Sequence, residues 1–247
     1  MLGPVSVDFS EIAATYDRTR SSPRDVEEFW LPAITRHAAV TERSGLLDVG
    51  CGTGRLSVPL SQSCRVVGLD ASPEMLAVAR SKGGGAAFVR GDALRMPFND
   101  RSFDAALAVL VLHLVPDFRR ALAEISRVAG RALLATIDME RRVPHAIDEA
   151  FPSFHEIDSR RFPRIPAIVE ACRGAGWPRV GTFEGHRRIE STTSEFIERV
   201  RGRYVSTLTL IPPAEFDRGL AWLESELPRR GPRYAYDHTV TFVVASR

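Results

Sequence analysis

The chain has 247 residues, of which 44% are hydrophobic and 26% charged, and its net charge is +2. That is enough apolar chain for one α/β domain with elaborations, and too even a charge balance for a surface that wraps nucleic acid or an anionic membrane. Lys82 is the only lysine, which argues against Schiff-base chemistry, and Cys51, Cys64 and Cys172 are too widely spaced for a metal knuckle or a redox dithiol. The first residues, Met1 to Tyr16, include Asp8 and Glu11 and have no charged-then-apolar leader pattern. No apolar run is long enough to span a bilayer, so a soluble cytoplasmic protein is expected, as a monomer or homodimer, with no metal site.

The N-terminal segment, residues 1–43, reads as a helical cap. From Leu46 to Ile137 short apolar runs alternate with amphipathic stretches, the pattern of repeated βαβ units. The strands predicted are Leu46–Val49, Val66–Leu69, Ala87–Val89, Ala105–Leu110 and Ala132–Ile137, each apolar enough to be covered on both faces. The helices between them are predicted over Gly54–Ser61, Pro73–Ala79 and Phe118–Val128, with Ser72 as an N-cap before a first-turn proline. Beyond Asp138 the chain turns irregular as far as Pro166. A helix to Gly174 and a strand near Val180–Phe183 follow, then helices near Ser194–Arg203 and Ala214–Leu227, and a last strand, Thr239–Ala245. Residues 44–138 thus form a ligand-binding core of one domain, and segments 139–166 and 190–237 are expected to fold over it.

The chemistry is concentrated in three loops. Leu46-Leu47-Asp48-Val49-Gly50-Cys51-Gly52-Thr53-Gly54 is a strand that ends in an acidic residue and opens into glycines at alternate positions. Such a turn admits a ligand close to the backbone and lets the next helix pack tightly on the sheet. About 20 residues on, Asp70 ends the second strand, where a carboxylate accepts from both hydroxyls of a ribose. Asp92, in Gly91-Asp92-Ala93, is placed to accept from an adenine amino group while the Ala93 N–H meets a ring nitrogen.

In order and spacing these pieces resemble the class I S-adenosylmethionine (SAM)-dependent methyltransferases, especially the small-molecule group that includes the ubiquinone and menaquinone biosynthesis enzymes. The resemblance covers about Phe9 to Ile137. It implies a Rossmann-like seven-stranded sheet of order 3-2-1-4-5-7-6 with the last strand antiparallel. It also implies SAM as cofactor, with Asp48, Gly50, Cys51, Gly52, Asp70, Asp92 and Ala93 in the binding loops. Phe9–Asp17 is similar to the helix that closes over the cofactor in this group, which makes Tyr16 and Arg20 candidates for its carboxylate. Val67–Leu76 is similar to the second motif and puts Ala71 and Met75 beside the adenine, and a carbonyl near Leu110 is expected to receive the ammonium. The chain departs from the group in reading Ser126-Arg127-Val128-Ala129-Gly130-Arg131 where a Leu-Lys-Pro-Gly-Gly-like turn is common.

A small-molecule acceptor is therefore expected, with His113, just after the fourth strand, as candidate base. His145, His155, His186, Tyr204 and His238 lie in segments expected to cover the acceptor. Two other readings compete. An NAD(P)-dependent oxidoreductase shares Gly50, Gly52 and Asp70, but its fingerprint has glycine or alanine where this chain has Arg55. A non-catalytic SAM-binding protein shares the whole fold. A base-modifying enzyme fits less well, since Val109-Leu110-Val111-Leu112 stands where such enzymes place an Asn or Asp, two prolines and an aromatic.

Overall fold

The computed structural model describes Ala13, Tyr16, Asp17 and residues 23–247. Its strands are β1 (Gly45–Val49), β2 (Arg65–Asp70), β3 (Ala87–Arg90), β4 (Phe103–Val109), β5 (Ala129–Thr136), β6 (Arg179–Thr192) and β7 (Arg233–Ser246). They form one sheet in the order β3-β2-β1-β4-β5-β7-β6. β7 runs antiparallel to both neighbours and every other pairing is parallel, the arrangement the family resemblance implies.

Alternation along the strands divides the apolar side chains between two faces. Leu47, Val49, Ala106 and Leu134 pack with Leu122 and Ile125 of helix α4 (Phe118–Val128) and with Ile168 of α7 (Ile165–Gly174). Their neighbours Leu46, Leu107 and Leu133 point the other way, onto Trp30, onto Ile34 of α1 (Leu31–Ala38), and onto Leu60 of α2 (Ser57–Leu60). Each leucine, isoleucine or valine among them contributes about 1.5–3 kcal/mol on burial. Polar caps fix the helix starts: Ser72 Oγ accepts from the Met75 N–H (3.1 Å) ahead of α3 (Pro73–Ser81), and Asp117 Oδ1 accepts from Arg120 N–H (3.0 Å) ahead of α4.

Four further helices, α5 (Ala146–Ala150), α6 (Phe154–Arg161), α8 (Thr193–Arg201) and α9 (Pro213–Arg230), share a third core that includes Phe151, Phe196, Leu223 and Tyr236. Here the fold departs from the sequence reading. The stretch expected to be irregular up to Pro166 contains α5 and α6, helices too short to display a clear 3.6-residue period. β6 and β7 each run for 14 residues, paired from Arg179↔Ser246 out to Thr192↔Arg233. β5 accompanies β7 only as far as Thr136↔Thr241, so the outer half of the β6–β7 pair projects past the parallel strands. Its residues are mixed polar and aromatic because helices, not a second sheet neighbour, cover them. α2 begins at Ser57, not Gly54, because the left-handed φ of +71° at Gly54 holds that first turn out of the helix. The turn before the fifth strand is absent, and α4 passes directly into β5 at Ala129.

Candidate active site

A cavity of about 700 Å3 opens at the carboxyl ends of β1 to β5 and extends to α6, to the turn at residues 204–207 and to the start of β7. Its floor is the turn after β1. The N–H groups of Gly50 and Cys51 both donate to the Leu69 carbonyl (2.8 and 3.1 Å), which ties the turn to β2. At Gly50 a Cβ would come within 2.4 Å of Val111 Cγ2, so a side chain there collides with the loop after β4. At Gly52, where φ is +54°, a Cβ would meet nothing within 4 Å, so the space above it is open to a ligand. Gly52 N–H donates to Asp70 Oδ2 (2.8 Å) and Ser72 N–H to Asp70 Oδ1 (2.9 Å), fixing both oxygens of the carboxylate.

Tyr16, Gly50, Gly52, Asp70, Ala71, Met75, Asp92, Ala93, Leu110 and His113 all line this cavity. Asp92 Oδ1 accepts from the Leu94 N–H (2.8 Å), which holds the Asp92-Ala93 turn in shape. Leu110 has a φ of +53°, a left-handed conformation that costs a leucine roughly 1–2 kcal/mol and breaks the line of β4 at the cavity wall. Asp48 and Cys51 do not line the cavity. Asp48 is buried behind the glycine turn, where Ser57 Oγ donates to its Oδ2 (2.5 Å). Burial pushes its carboxyl up to about 6, against the pull of that hydrogen bond and of Arg55. Burial likewise pushes the Cys51 thiol far up, and its Sγ lies where a Cβ on Gly68 would meet it at 2.8 Å. Arg20 lies outside the described residues.

The other half of the cavity is built by the covering segments. His113 stacks on Phe162 with ring centroids 4.0 Å apart. Beyond it lie His145, Tyr204 and His238, whereas His155 and His186 are absent from the lining. Arg142 grips Asp148 with both arms of its guanidinium (2.6 and 3.0 Å), and Thr207 Oγ1 donates to the buried Asp158 (2.5 Å), which also pairs with Arg161. Burial raises the Asp158 carboxyl, and Thr207 and Arg161 oppose that rise.

A family model described as "Methyltransferase domain" matches residues 47–131. The chain is 33% identical over 178 residues to the demethylmenaquinone methyltransferase of Deinococcus radiodurans, an alignment covering 68% of this chain and 72% of that one. The chain belongs to the SAM-dependent methyltransferases. It is also 32% identical over 176 residues to the malonyl-[acyl-carrier protein] O-methyltransferase of Serratia marcescens, covering 68% of this chain and 66% of that enzyme. In fold, this methyltransferase is similar to a putative antibiotic-pathway methyltransferase of Anabaena variabilis, with a TM-score of 0.73 and 19% identity over 87% of this chain and 96% of the other.

The residues present fit SAM, the cofactor of the family. The open space over Gly52 admits it, and each Asp70 oxygen, having accepted one backbone N–H, keeps a lone pair for a ribose hydroxyl. Membership in this family leaves no place for the oxidoreductase reading. Among the described residues no helix is long and apolar enough to cross a membrane, and no group of three or more His, Cys, Asp and Glu is placed to hold a metal.

Several lining residues of the methyltransferase carry no mark in the sequence. Arg55 lines the cavity with its guanidinium 5.5 Å from the centroid of the Trp30 ring. Val143 also lines it, although 63% exposed, which puts an apolar side chain at the mouth. Arg142, Asp158, Phe162, Ser206 and Thr207 are brought in by short helices and turns that periodicity does not reveal. The only available signal was that two aromatics and a histidine alternate at Tyr234, Tyr236 and His238 in an otherwise polar stretch.

Proposed function

We propose that this methyltransferase acts on a small molecule, held in the half of the cavity beneath segments 139–166 and 190–237. SAM would be held by Gly50, Gly52, Asp70, Ala71, Met75, Asp92, Ala93 and Leu110, with Tyr16 and Arg20 at its carboxylate and Asp48 and Cys51 supporting the turn from behind. One observation carries this reading: a single cavity contains both Asp70 and the cluster of His145, Tyr204 and His238. The family match ends at residue 131, before either covering segment, so we assign the choice of acceptor to those segments. A cavity walled partly by the covering segments and a net charge of +2 favour a metabolite over nucleic acid. Three buried free cysteines are in keeping with a reducing cytoplasm.

When bound, the sulfonium supplies an electrophilic methyl group. The protein's part is to hold the acceptor in line with it and to keep water out, and alignment of this kind is worth effective molarities of roughly 10⁵–10⁸ M. Phe154, Phe162 and Tyr236 give the acceptor half apolar walls. His113, at the join of the two halves, takes the proton from an oxygen or nitrogen nucleophile.

Calorimetry with SAM tests the first half of the proposal: saturable heat is expected with the intact protein and not with Asp70→Ala. Incubating the protein and SAM with cell extract, and searching for metabolites that gain one methyl group, tests the second. No saturable heat, or no such product, sinks the assignment. Full turnover by His113→Ala would remove the proposed base alone.

A further inference from the structure

Tyr234, Tyr236 and His238 occupy alternate positions of β7, in the part of the β6–β7 pair that extends past β5. His238 lies opposite Arg187 of β6, and Arg187 Nε donates to His238 Nδ1 at 3.3 Å. The same guanidinium is ion-paired with Asp25, whose other oxygen accepts from Trp30 Nε1 at 3.1 Å, and it packs over the rings of Phe29 and Trp30 (5.0 and 5.2 Å to the centroids). Arginine has only donors and does not lose its proton. Nδ1 of His238 must therefore be the unprotonated nitrogen, and the ring proton sits on Nε2. That nitrogen has no hydrogen-bond partner among the described residues, and it is not one of the sealed polar atoms of the interior. His238 lines the cavity, so its N–H is offered to whatever fills it.

His145 is arranged in the same way. The Tyr234 hydroxyl oxygen accepts from the Ala146 N–H at 3.0 Å and lies 3.1 Å from His145 Nδ1. With the phenolic proton donated to His145 Nδ1, the imidazole proton of His145 sits on Nε2 as well. The His145 ring is held face to face with Tyr236, centroids 4.2 Å apart. Burial, then the Arg187 charge at His238 and the Arg142 charge at His145, keeps both rings neutral.

We propose that His238 and His145 form a paired N–H donor site for an oxygen acceptor on the methyl-accepting molecule, a carbonyl or carboxylate oxygen, and that His238 orients this molecule without removing its proton. Acting as a base, His238 would have to become cationic beside Arg187, or turn an N–H toward the Arg187 N–H. An ammonium group finds no unpaired carboxylate here among the described residues, because Asp25, Asp148, Asp158 and Asp237 are already paired with Arg187, Arg142, Arg161 and Arg188. The inference rests on the reading that this half of the cavity holds the acceptor, but it makes its own claim about nitrogen atoms.

Nitrogen NMR of the full chain with isotope-labelled histidine tests it near neutral pH. His238 is expected to show a pyridine-like Nδ1 and a pyrrole-like, protonated Nε2. Benzoate and acetophenone are expected to shift the His238 resonances saturably, and benzylamine is not. His238→Phe should weaken benzoate binding about tenfold, the loss of one good hydrogen bond, while His238→Gln, which keeps an amide N–H near the Nε2 position, should restore most of it. A protonated Nδ1, no saturable shift with either oxygen probe, or an equal response to benzylamine would overturn the proposal. If the expected tautomer and probe selectivity hold while SAM gives no heat in calorimetry, the methyl-transfer reading fails and the donor site stands.

Discussion

Asp70 receives Gly52 N–H on one oxygen and Ser72 N–H on the other, at 2.8 and 2.9 Å, so a single carboxylate joins the glycine turn to the start of α3. Helix capping is not its task, because the Ser72 hydroxyl does that at Met75 N–H. Asp70→Ala strands both backbone donors, Gly52 N–H and Ser72 N–H, and removes the proposed ribose acceptor as well. The expected cost is about 1–3 kcal/mol of stability and a loss of SAM affinity of at least about tenfold, read by denaturant melts and calorimetry. Asp70→Asn keeps one oxygen acceptor and should fall between Ala and the parent.

Lys82, the chain's only lysine, forms an ion pair with Asp17 and donates to the Thr53 carbonyl at 2.6 Å, while Thr53 Oγ1 donates to Asp17 at 2.5 Å. Asp17 adjoins Tyr16, which lines the cavity, so this triangle fastens the N-terminal segment to the glycine turn. Partly exposed pairs contribute roughly 0.2–1 kcal/mol. Lys82→Met is therefore expected to weaken SAM binding about twofold to fivefold with little change in global stability. The difference between parent and variant should shrink as salt is raised, because screening already weakens the pair. Equal affinities at low ionic strength would show that the N-terminal contact plays no part in holding the cofactor.

The parallel strands were legible because a strand covered on both faces is largely apolar, as Leu46, Leu47, Val49 and residues 132–135 are, and α4 was legible to the residue from the helical spacing of its apolar side chains. The loops proposed to hold the cofactor stood out because backbone contact with a ligand requires small residues and a carboxylate at fixed offsets, here Gly50, Gly52 and Asp70, which the structure brings to one cavity. Asp48 and Cys51 share that local pattern, yet the turn hides both side chains, a matter of direction that spacing cannot convey. The half of the cavity proposed for the acceptor was not legible because tertiary contacts create it. The tautomer of His238 is set by Arg187, 51 residues away, and the left-handed Leu110 is a leucine like any other until the loop after β4 is built.

Gly219 of α9 faces α5 so closely that a Cβ would lie 2.3 Å from Phe151 Cε1 and 2.5 Å from the Ala150 carbonyl oxygen. In an isolated helix Gly→Ala would stabilise by about 1 kcal/mol. Here overpacking, typically about 1–3 kcal/mol, meets backbone as well as a ring, so the clash outweighs the propensity gain. Gly219→Ala is expected to destabilise the fold by roughly 1–2 kcal/mol and to lower turnover more than SAM affinity, since the cofactor loops lie on other elements. A rise in melting temperature would mean that α9 can slide away from α5 without cost.

Acid should weaken the fold through His145 and His238. Burial, reinforced by Arg142 and Arg187, lowers them from 6.5 to about 4 and about 3 respectively. Between 6.5 and those values the unfolded chain binds protons that the folded chain refuses, so stability rises with pH across that window and falls on acidification. At about 1.4 kcal/mol per pH unit, each ring removes roughly 2 kcal/mol between neutral pH and about pH 5. Asp48 opposes them: burial raises it from 3.8 to about 6, so its protonation in the folded state returns about 1 kcal/mol over the same range. The net loss expected is roughly 2–3 kcal/mol, measured by denaturant melts at the two pH values. His238→Gln should remove nearly all of one ring's share and leave a shallower slope, whereas Asp48→Asn should steepen it. A slope that is the same in all three proteins would mean that these groups meet water as freely in the folded chain as in the unfolded one.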